Sequence, residues 1–293
     1  MSDRKNTTIF DQFLAPVVNL LIDKEEIRRN YEGTNWQEAI QRYQQPNLIY
    51  PEYYRQENFH GIKGGYLTPG AAVTYDPITQ YALPPNENLV RQGLIDKIRV
   101  KPQRILDLGC GTGSTTIMLK QTFPQAEVIG LDLSPYMLVV ANTKSTLSSL
   151  KIQWLHGNAE TTDFESNSFD LITASLLFHE TPPNISPAIF RESFRLLKTG
   201  GEMLILDGNQ KTLRQLDWLQ NIFEEPYIKD YSLESVDAGM GAAGFRAVQT
   251  EDLWFLHQVT RGVKPIENQG KVQDRELNEN DFKSEDWQPA PGF

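Results

Sequence analysis

The chain has 293 residues, 39% of them hydrophobic, which is typical of a globular protein with a buried core. Its 28 basic and 38 acidic side chains give a net charge of −10, so we expect no nucleic-acid partner, because phosphates need a basic surface. No apolar run approaches the roughly 20 residues that cross a bilayer and no secretory leader is visible, so we expect a cytoplasmic protein with no membrane partner.

Three regions differ in composition along the chain. Residues 1–95 are rich in aromatic and helix-forming residues and lack an alternating strand pattern, so we expect an N-terminal, largely helical cap with a short helix over 37–45. Residues 96–263 alternate apolar strands with helices, which is typical of a parallel sheet covered on both faces. Residues 264–293 are polar and charged, and we expect a flexible tail.

The elements of the central region follow from local patterns. Ser134 and then Pro135 are expected as the N-cap and first residue of a helix. The Gly200–Gly201 pair is expected to end a later helix. The predicted strands are 104–108, 127–133, 152–156, 169–177, 202–207, 246–253 and 254–263, and the predicted helices are 114–123, 135–147, 186–197 and 233–242.

A glycine-rich turn, DLGCGTG at residues 107–113, joins the first strand to the first helix. Glycines permit a tight turn and the close approach of a ligand, and amides at the helix start face that ligand. Alone, this turn fits a dinucleotide, a phosphate or nothing. Asp107 would repel a pyrophosphate but would suit an ammonium group. Asp132 ends the second strand, where a carboxylate can accept hydrogen bonds from both ribose hydroxyls.

Five motifs resemble those of class I S-adenosylmethionine-dependent methyltransferases, in the same order, over about residues 104–260. The resemblance implies a methyltransferase with S-adenosyl-L-methionine as cofactor and S-adenosyl-L-homocysteine as product. It also implies a Rossmann-like α/β fold, with a seven-stranded, mostly parallel sheet in the order 3-2-1-4-5-7-6. The motifs are ILDLGCGTG (105–113), GLDLS (130–134), HGNAE (156–160), FDLI with SLLFH (169–179) and LLKTGG (196–201).

The same resemblance assigns residues to the cofactor. Asn158 stands where many relatives have an aspartate, and its amide oxygen accepts a hydrogen bond more weakly than a carboxylate. The implied cofactor-binding residues are Asp107, Gly109, Cys110 and Gly111 at the methionine end, Asp132 at the ribose, Leu133 and Met137 against the adenine, Asn158 and Ala159 beside it, and Ser175 near the methionine portion.

Candidate catalytic residues lie on both sides of the glycine turn in the sequence. His179 follows the fourth strand and would deprotonate an acceptor hydroxyl, amine or acidic carbon, or would order the turn after it. Tyr66 and Tyr75 would form an aromatic pocket over the sulfonium, or a hydrophobic cap with exposed hydroxyls. Cys110, the single cysteine, and the scattered histidines predict no metal site.

The predicted reaction is an in-line displacement in which the protein mainly aligns and desolvates two partners. We expect the N-terminal cap to shape a pocket for a small organic acceptor, with the methylated atom left open among O, N, S and C. A homodimer is the default for such an enzyme. Two alternatives remain at this point: an NAD-dependent oxidoreductase, which Asp132 would fit but the missing last glycine of GxGxxG would not, and a non-catalytic protein that kept the fold.

Overall fold

The computed structural model describes residues 22–59, 62, 64–82, 85–216, 218 and 226–266. Its strands form one seven-stranded sheet in the order β3-β2-β1-β4-β5-β7-β6, and only β7 runs antiparallel to its neighbours. This arrangement confirms the predicted fold class. The strands are β1 Arg104–Leu108, β2 Glu127–Asp132, β3 Gln153–His156, β4 Phe169–Ser175, β5 Leu197–Gly208, β6 Arg246–Leu253 and β7 His257–Val263.

Helices precede the sheet and cover both of its faces. The predicted helix over 37–45 is shorter, at Trp36–Gln41. Residues 1–21 and 267–293, which include most of the predicted tail, lie outside the described part of the chain. The helices are α1 Lys24–Glu32, α2 Trp36–Gln41, α3 Glu52–Gln56, α4 Pro69–Ala82, α5 Glu87–Ile95, α6 Ser114–Thr122, α7 Pro135–Leu147, α8 Ser186–Leu196, α9 Gln210–Gln215, α10 Ile228–Leu233 and α11 Val236–Ala242.

Local capping was predicted correctly at α7 and wrongly at α8. Ser134 accepts the Met137 backbone N–H and caps α7 with Pro135 in its first turn. The Gly200–Gly201 pair does not end α8, because Leu197 is already extended and begins β5. A Cβ at Gly201 would lie 3.0 Å from the Asp170 carbonyl oxygen, so this glycine permits a close strand approach.

The sequence prediction also differs from the structure near the end of the described chain. The helix expected over 233–242 begins later, as α11, because Ser235 is extended and its side chain caps that helix by accepting the Ala238 N–H, and α10 before it was not predicted. The last strand begins at His257, since Trp254 adopts a φ of 54° in the turn between β6 and β7.

The sheet is buried on both faces. Leu106, Ile129 and Ile172 belong to the core on one face, whereas Ile105 and Leu171 belong to the core on the other. The second core is completed by α5, whose Val90 and Leu94 are fully buried. The N-terminal region therefore supplies one layer of the sheet's covering. None of the helices in the described ranges is both long and apolar enough to span a bilayer.

Candidate active site

A cleft of about 720 Å³, part of it open to solvent, lies at the carboxyl ends of β1, β2 and β4. This edge of an open α/β sheet is where ligands bind in such folds. N-terminal residues form one wall of the cleft. It is lined by Tyr53, Tyr54, Phe59, Tyr66, Tyr75, Gly109, Gly111, Leu131, Asp132, Leu133, Met137, Gly157, Asn158, Ala159, Ser175, Leu176, Leu177, Glu180, Thr181 and Ile189.

Most of the residues singled out from the sequence line this cleft, and three do not. Asp107, Cys110 and His179 are absent from the lining, although each is close to it in sequence. The cleft also contains residues that the sequence did not single out, such as Glu180 and Leu176. The assignment of every one of these residues to a ligand stays a prediction.

The glycine turn leaves open space at Gly111. This residue has a φ of +51°, and a Cβ added there would have no heavy atom within 4 Å. The neighbouring backbone is fixed, because the Cys110 N–H donates to the Leu131 carbonyl oxygen at 3.0 Å. The turn is therefore a rigid cradle with room beside it for a ligand.

Asp132 presents a carboxylate to the cleft at the end of β2. Its Oδ2 accepts the Gly111 N–H and its Oδ1 accepts the Ser134 N–H, both at 2.7 Å. Burial raises its pKa to about 6, although the two backbone N–H groups oppose that shift. A carboxylate has about four acceptor sites, so Asp132 can still accept two hydroxyl hydrogens.

Asp107 is buried, and its carboxylate is hydrogen-bonded to two threonine side chains. It is 1% exposed, and its two oxygens accept the hydroxyls of Thr116 and Thr173 at 2.6 and 2.7 Å. Burial raises its pKa, and the two hydroxyls lower it. Asp107 therefore ties β1 to β4 and to α6. Its predicted contact with the methionine end of the cofactor stays a prediction, because Asp107 does not line the cleft.

Cys110 faces away from the cleft into a small core with Leu138 and Trp154. Its Sγ is 3.8 Å from the Gly111 carbonyl oxygen. Burial raises the pKa of the thiol well above its usual range, so it is not an activated nucleophile.

Asn158 and its neighbours line another part of the cleft. The Asn158 side-chain oxygen accepts the Glu160 N–H at 3.0 Å, and its amide nitrogen donates to Glu160 Oε1 at 3.1 Å. The Tyr53 hydroxyl donates to the same carboxylate oxygen at 3.4 Å. Asn158 is thus held by the residue that also contacts the N-terminal region.

An aromatic cluster forms the N-terminal wall. The rings of Tyr66 and Tyr75 meet edge to face with centroids 6.0 Å apart, and Phe59 stacks on Tyr66 at 5.4 Å. Both tyrosines line the cleft, and burial raises the pKa of Tyr75. The Ser134 hydroxyl donates to the Tyr66 carbonyl oxygen at 2.7 Å, which fixes this wall to the start of α7.

A second contact joins the N-terminal region to the glycine turn. Asp76 of α4 accepts the Thr112 hydroxyl at 2.5 Å and the Lys144 ammonium at 2.6 Å. Lys144 also donates to the Ser114 hydroxyl at 3.0 Å. The wall and the turn therefore share one hydrogen-bonded network.

His179 and Glu180 lie in the short 3-10 helix Phe178–Glu180 that follows β4. His179 Nδ1 is 2.6 Å from Asp207 Oδ1, and Asp207 Oδ2 accepts the Phe178 N–H at 2.8 Å. The Tyr66 hydroxyl donates to Glu180 Oε1 at 2.6 Å. Glu180 faces the cleft, and His179 lies behind it with Nε2 3.9 Å from Glu180 Oε1.

The charged side chains that line the cleft are acidic within the described residues. Asp132 and Glu180 line the cleft, and no lysine, arginine or histidine does so within the described part of the chain. The same described residues contain no group of three His, Cys, Asp or Glu side chains that could hold a metal ion. Such a cleft suits a ligand that carries positive charge or hydrogen-bond donors.

Residues 105–201 match a family model described as a methyltransferase domain. A demethylmenaquinone methyltransferase from Lactococcus lactis is 34% identical over 160 residues, which are 54% of this chain and 60% of that protein. One from Thermus thermophilus is 36% identical over 106 residues, which are 36% of this chain and 47% of that protein. The chain thus spans about half the length of these curated relatives.

Solved structures of low identity share the fold. A structure titled a putative O-methyltransferase from Nostoc punctiforme has a TM-score of 0.53 at 18% identity, covering 81% of this chain and 69% of that one. The phosphoethanolamine N-methyltransferase 2 of Haemonchus contortus, solved in complex with S-adenosyl-L-methionine, has a TM-score of 0.51 at 15% identity. That match covers 75% of this chain and 61% of the other.

Proposed function

We propose that this chain, which carries a class I S-adenosylmethionine-dependent methyltransferase domain, binds S-adenosylmethionine in the cleft and methylates a small aromatic acceptor that bears a hydroxyl group. The observation that carries the proposal is the pairing of Asp132 with the open cradle at Gly111. A carboxylate at the end of β2 beside an unfilled glycine turn fits a ribose next to a bulky, positively charged group.

Different residues of the lining would contact the different parts of S-adenosylmethionine. Asp132 would accept the ribose hydroxyls, Leu133 and Met137 would contact the adenine, and the backbone near Gly111 and Ser175 would face the methionine portion. When bound, S-adenosylmethionine supplies an electrophilic methyl group on a sulfonium. The aromatic faces of Tyr66 and Tyr75 would stabilise that positive charge, since a cation is attracted to electron-rich rings.

The N-terminal aromatic wall of the cleft supports the choice of acceptor class. Phe59, Tyr66 and Tyr75 offer flat apolar surface to a ring, and Glu180 offers an acceptor for a hydroxyl hydrogen. The acidic lining disfavours an anionic acceptor. The relatives from Lactococcus lactis and Thermus thermophilus are named demethylmenaquinone methyltransferases, and since a quinone on reduction becomes a ring with hydroxyl groups, these names support the same acceptor class.

Calorimetric titration with S-adenosylmethionine, S-adenosylhomocysteine and NAD tests the cofactor assignment. We expect both adenosyl ligands to bind in the micromolar range and NAD to give no heat. The discrimination is expected because the Glu180 carboxylate in the cleft would repel a pyrophosphate. Tight binding of NAD, or silence toward all three ligands, would contradict the proposal.

The affinity for S-adenosylhomocysteine is expected to depend on the ionisation of Asp132. Its pKa is raised to about 6, so the carboxylate is charged above that pH and becomes a weaker acceptor as the pH falls through it. We expect affinity to fall about tenfold per pH unit below about pH 6. Calorimetry between pH 5 and 8 measures this affinity. For Asp132→Asn the affinity should not change with pH. If the affinity of the wild-type protein is also independent of pH, Asp132 is not in the binding site.

A further inference from the structure

We propose that the Glu180 carboxylate binds the acceptor's hydroxyl and takes its proton during methyl transfer, with His179 acting through Glu180 as a positioning residue. This inference rests on the proposed function, and it names the group that recognises the acceptor. It moves the proton-accepting role from His179, which the sequence had suggested, to the neighbouring residue.

Glu180 and His179 occupy different positions relative to the cleft, and this assigns them different roles. Glu180 lines the cleft, whereas His179 does not. A proton acceptor must come within hydrogen-bond distance of the hydroxyl that it serves. His179 Nδ1 is already engaged by Asp207 at 2.6 Å. Glu180 is therefore the member of the pair that an acceptor in the cleft would meet.

Glu180 is held in place from the N-terminal wall. The Tyr66 hydroxyl donates to its Oε1 at 2.6 Å, and the Tyr66 ring is itself fixed between Phe59 and Tyr75. A carboxylate has about four acceptor sites, so Glu180 can accept more than one hydroxyl hydrogen. An acceptor ring lying along these aromatic residues would bring its hydroxyl to Glu180.

His179 is oriented by Asp207. Asp207 accepts the N–H groups of Phe178 at 2.8 Å and of Gly208 at 2.7 Å, and its Oδ1 lies 2.6 Å from His179 Nδ1, a contact in which the ring nitrogen is the donor to a carboxylate. The other ring nitrogen, Nε2, is 3.9 Å from Glu180 Oε1. His179 is therefore a fixed neighbour of the Glu180 carboxylate and acts on an acceptor in the cleft only through it.

The acceptor loses its hydroxyl proton as it gains the methyl group. The acceptor O–H bond breaks and its proton goes to the Glu180 carboxylate. The electron density released into the acceptor forms its new bond to the methyl carbon, and the methyl–sulfur bond breaks with its electron pair left on sulfur. The products are a methylated acceptor, a neutral thioether and a protonated Glu180, which returns its proton to water.

The test compares two probes that differ by one hydrogen-bond donor, 1-naphthol and 1-methoxynaphthalene, in the presence of saturating S-adenosylhomocysteine. We expect the wild-type protein to bind the naphthol about tenfold more tightly, because a hydrogen bond to a partly buried carboxylate contributes about that much. Glu180→Gln should reduce the preference to about twofold, since an amide accepts more weakly than a carboxylate. Calorimetry measures binding without any turnover.

Glu57→Gln is the matched control, because Glu57 also accepts a tyrosine hydroxyl, that of Tyr227 at 3.4 Å, and does not line the cleft. This variant should keep the preference for the naphthol. His179→Ala should weaken the preference for the naphthol, and His179→Gln, which keeps a polar side chain beside Glu180, should restore most of it, while the affinity for S-adenosylhomocysteine stays the same in both. A merely structural role for His179 would lower the melting temperature of the variants and leave the preference unchanged.

The outcomes separate the two proposals. If wild-type protein does not bind S-adenosylhomocysteine, the proposed function fails. If it binds that ligand but does not prefer the naphthol, or if Glu180→Gln keeps the preference while binding S-adenosylhomocysteine normally, only the role of Glu180 is wrong. The S-adenosylhomocysteine affinity of each variant also reports that it has folded.

Discussion

Asp132→Ala should weaken the binding of S-adenosylhomocysteine by about 100-fold or more. The carboxylate is the one acidic group at the end of β2 in the cleft, and it is 8% exposed. Two hydrogen bonds from ligand hydroxyls to a buried carboxylate contribute about 3 kcal/mol, which is about a 100-fold change in the dissociation constant. Calorimetry on the purified variant measures the change.

The control is an aspartate with similar partners at the other edge of the sheet. Asp170 accepts the N–H groups of Gln103 and Arg104, both at 2.9 Å, at the start of β4. Asp170→Ala should lower the melting temperature but leave the affinity for S-adenosylhomocysteine unchanged. Equal losses of affinity in Asp132→Ala and Asp170→Ala would mean that Asp132 acts on the fold and not on the ligand.

Gly113→Ala should lower the free energy of unfolding by about 3 kcal/mol, since it combines left-handed backbone strain with overpacking of the core. Gly113 has a φ of +81°, and a Cβ there would lie 2.4 Å from the buried indole ring of Trp154. Urea unfolding followed by tryptophan fluorescence measures the change.

Gly111→Ala is the matched variant in the same turn. Its backbone is also left-handed, but the added Cβ would meet no heavy atom within 4 Å. We expect a loss of only about 1 kcal/mol in the free energy of unfolding. The methyl group would instead occupy space beside Asp132 and weaken ligand binding. Similar losses of stability in the two variants would contradict the difference in packing described here.

The sheet could be predicted from the sequence because its strands are short apolar segments separated by helices with clear local caps. Ser134 and Pro135 mark the start of α7 by their own chemistry, and the structure confirms it. The Gly200–Gly201 pair was misinterpreted because glycine both ends helices and permits close strand contacts. Sequence alone does not distinguish these two uses of glycine. In the structure, a side chain at Gly201 would contact the Asp170 carbonyl oxygen, which shows that the glycine permits a close strand contact.

The candidate site was harder to predict where it depends on distant contacts. The Tyr66 hydroxyl and Glu180 are 114 residues apart in the chain, and nothing in the local pattern pairs them. Histidine is the side chain that most often acts as a base near neutral pH, so the sequence suggested His179 and not Glu180 as the base. Only the packing of Asp207 against His179 shows which of the two faces the cleft.

The N-terminal region illustrates the same limit. Its aromatic residues predicted a cap, but their spacing has no period that would indicate which of them face inward. The structure joins this region to the glycine turn through Asp76 and Thr112, 36 residues apart, and places α5 in the core of the sheet. Both contacts are set by tertiary packing.

The most direct measurement is turnover with 1,4-dihydroxynaphthalene, kept reduced by dithionite, and S-adenosylmethionine carrying a labelled methyl group. We predict one labelled methyl group on the ring compound and an equal amount of S-adenosylhomocysteine, with both absent for Asp132→Ala. If the protein binds S-adenosylmethionine but transfers no label to this or any other hydroxyl-bearing ring, and instead methylates an aliphatic amine, the proposed acceptor class is wrong.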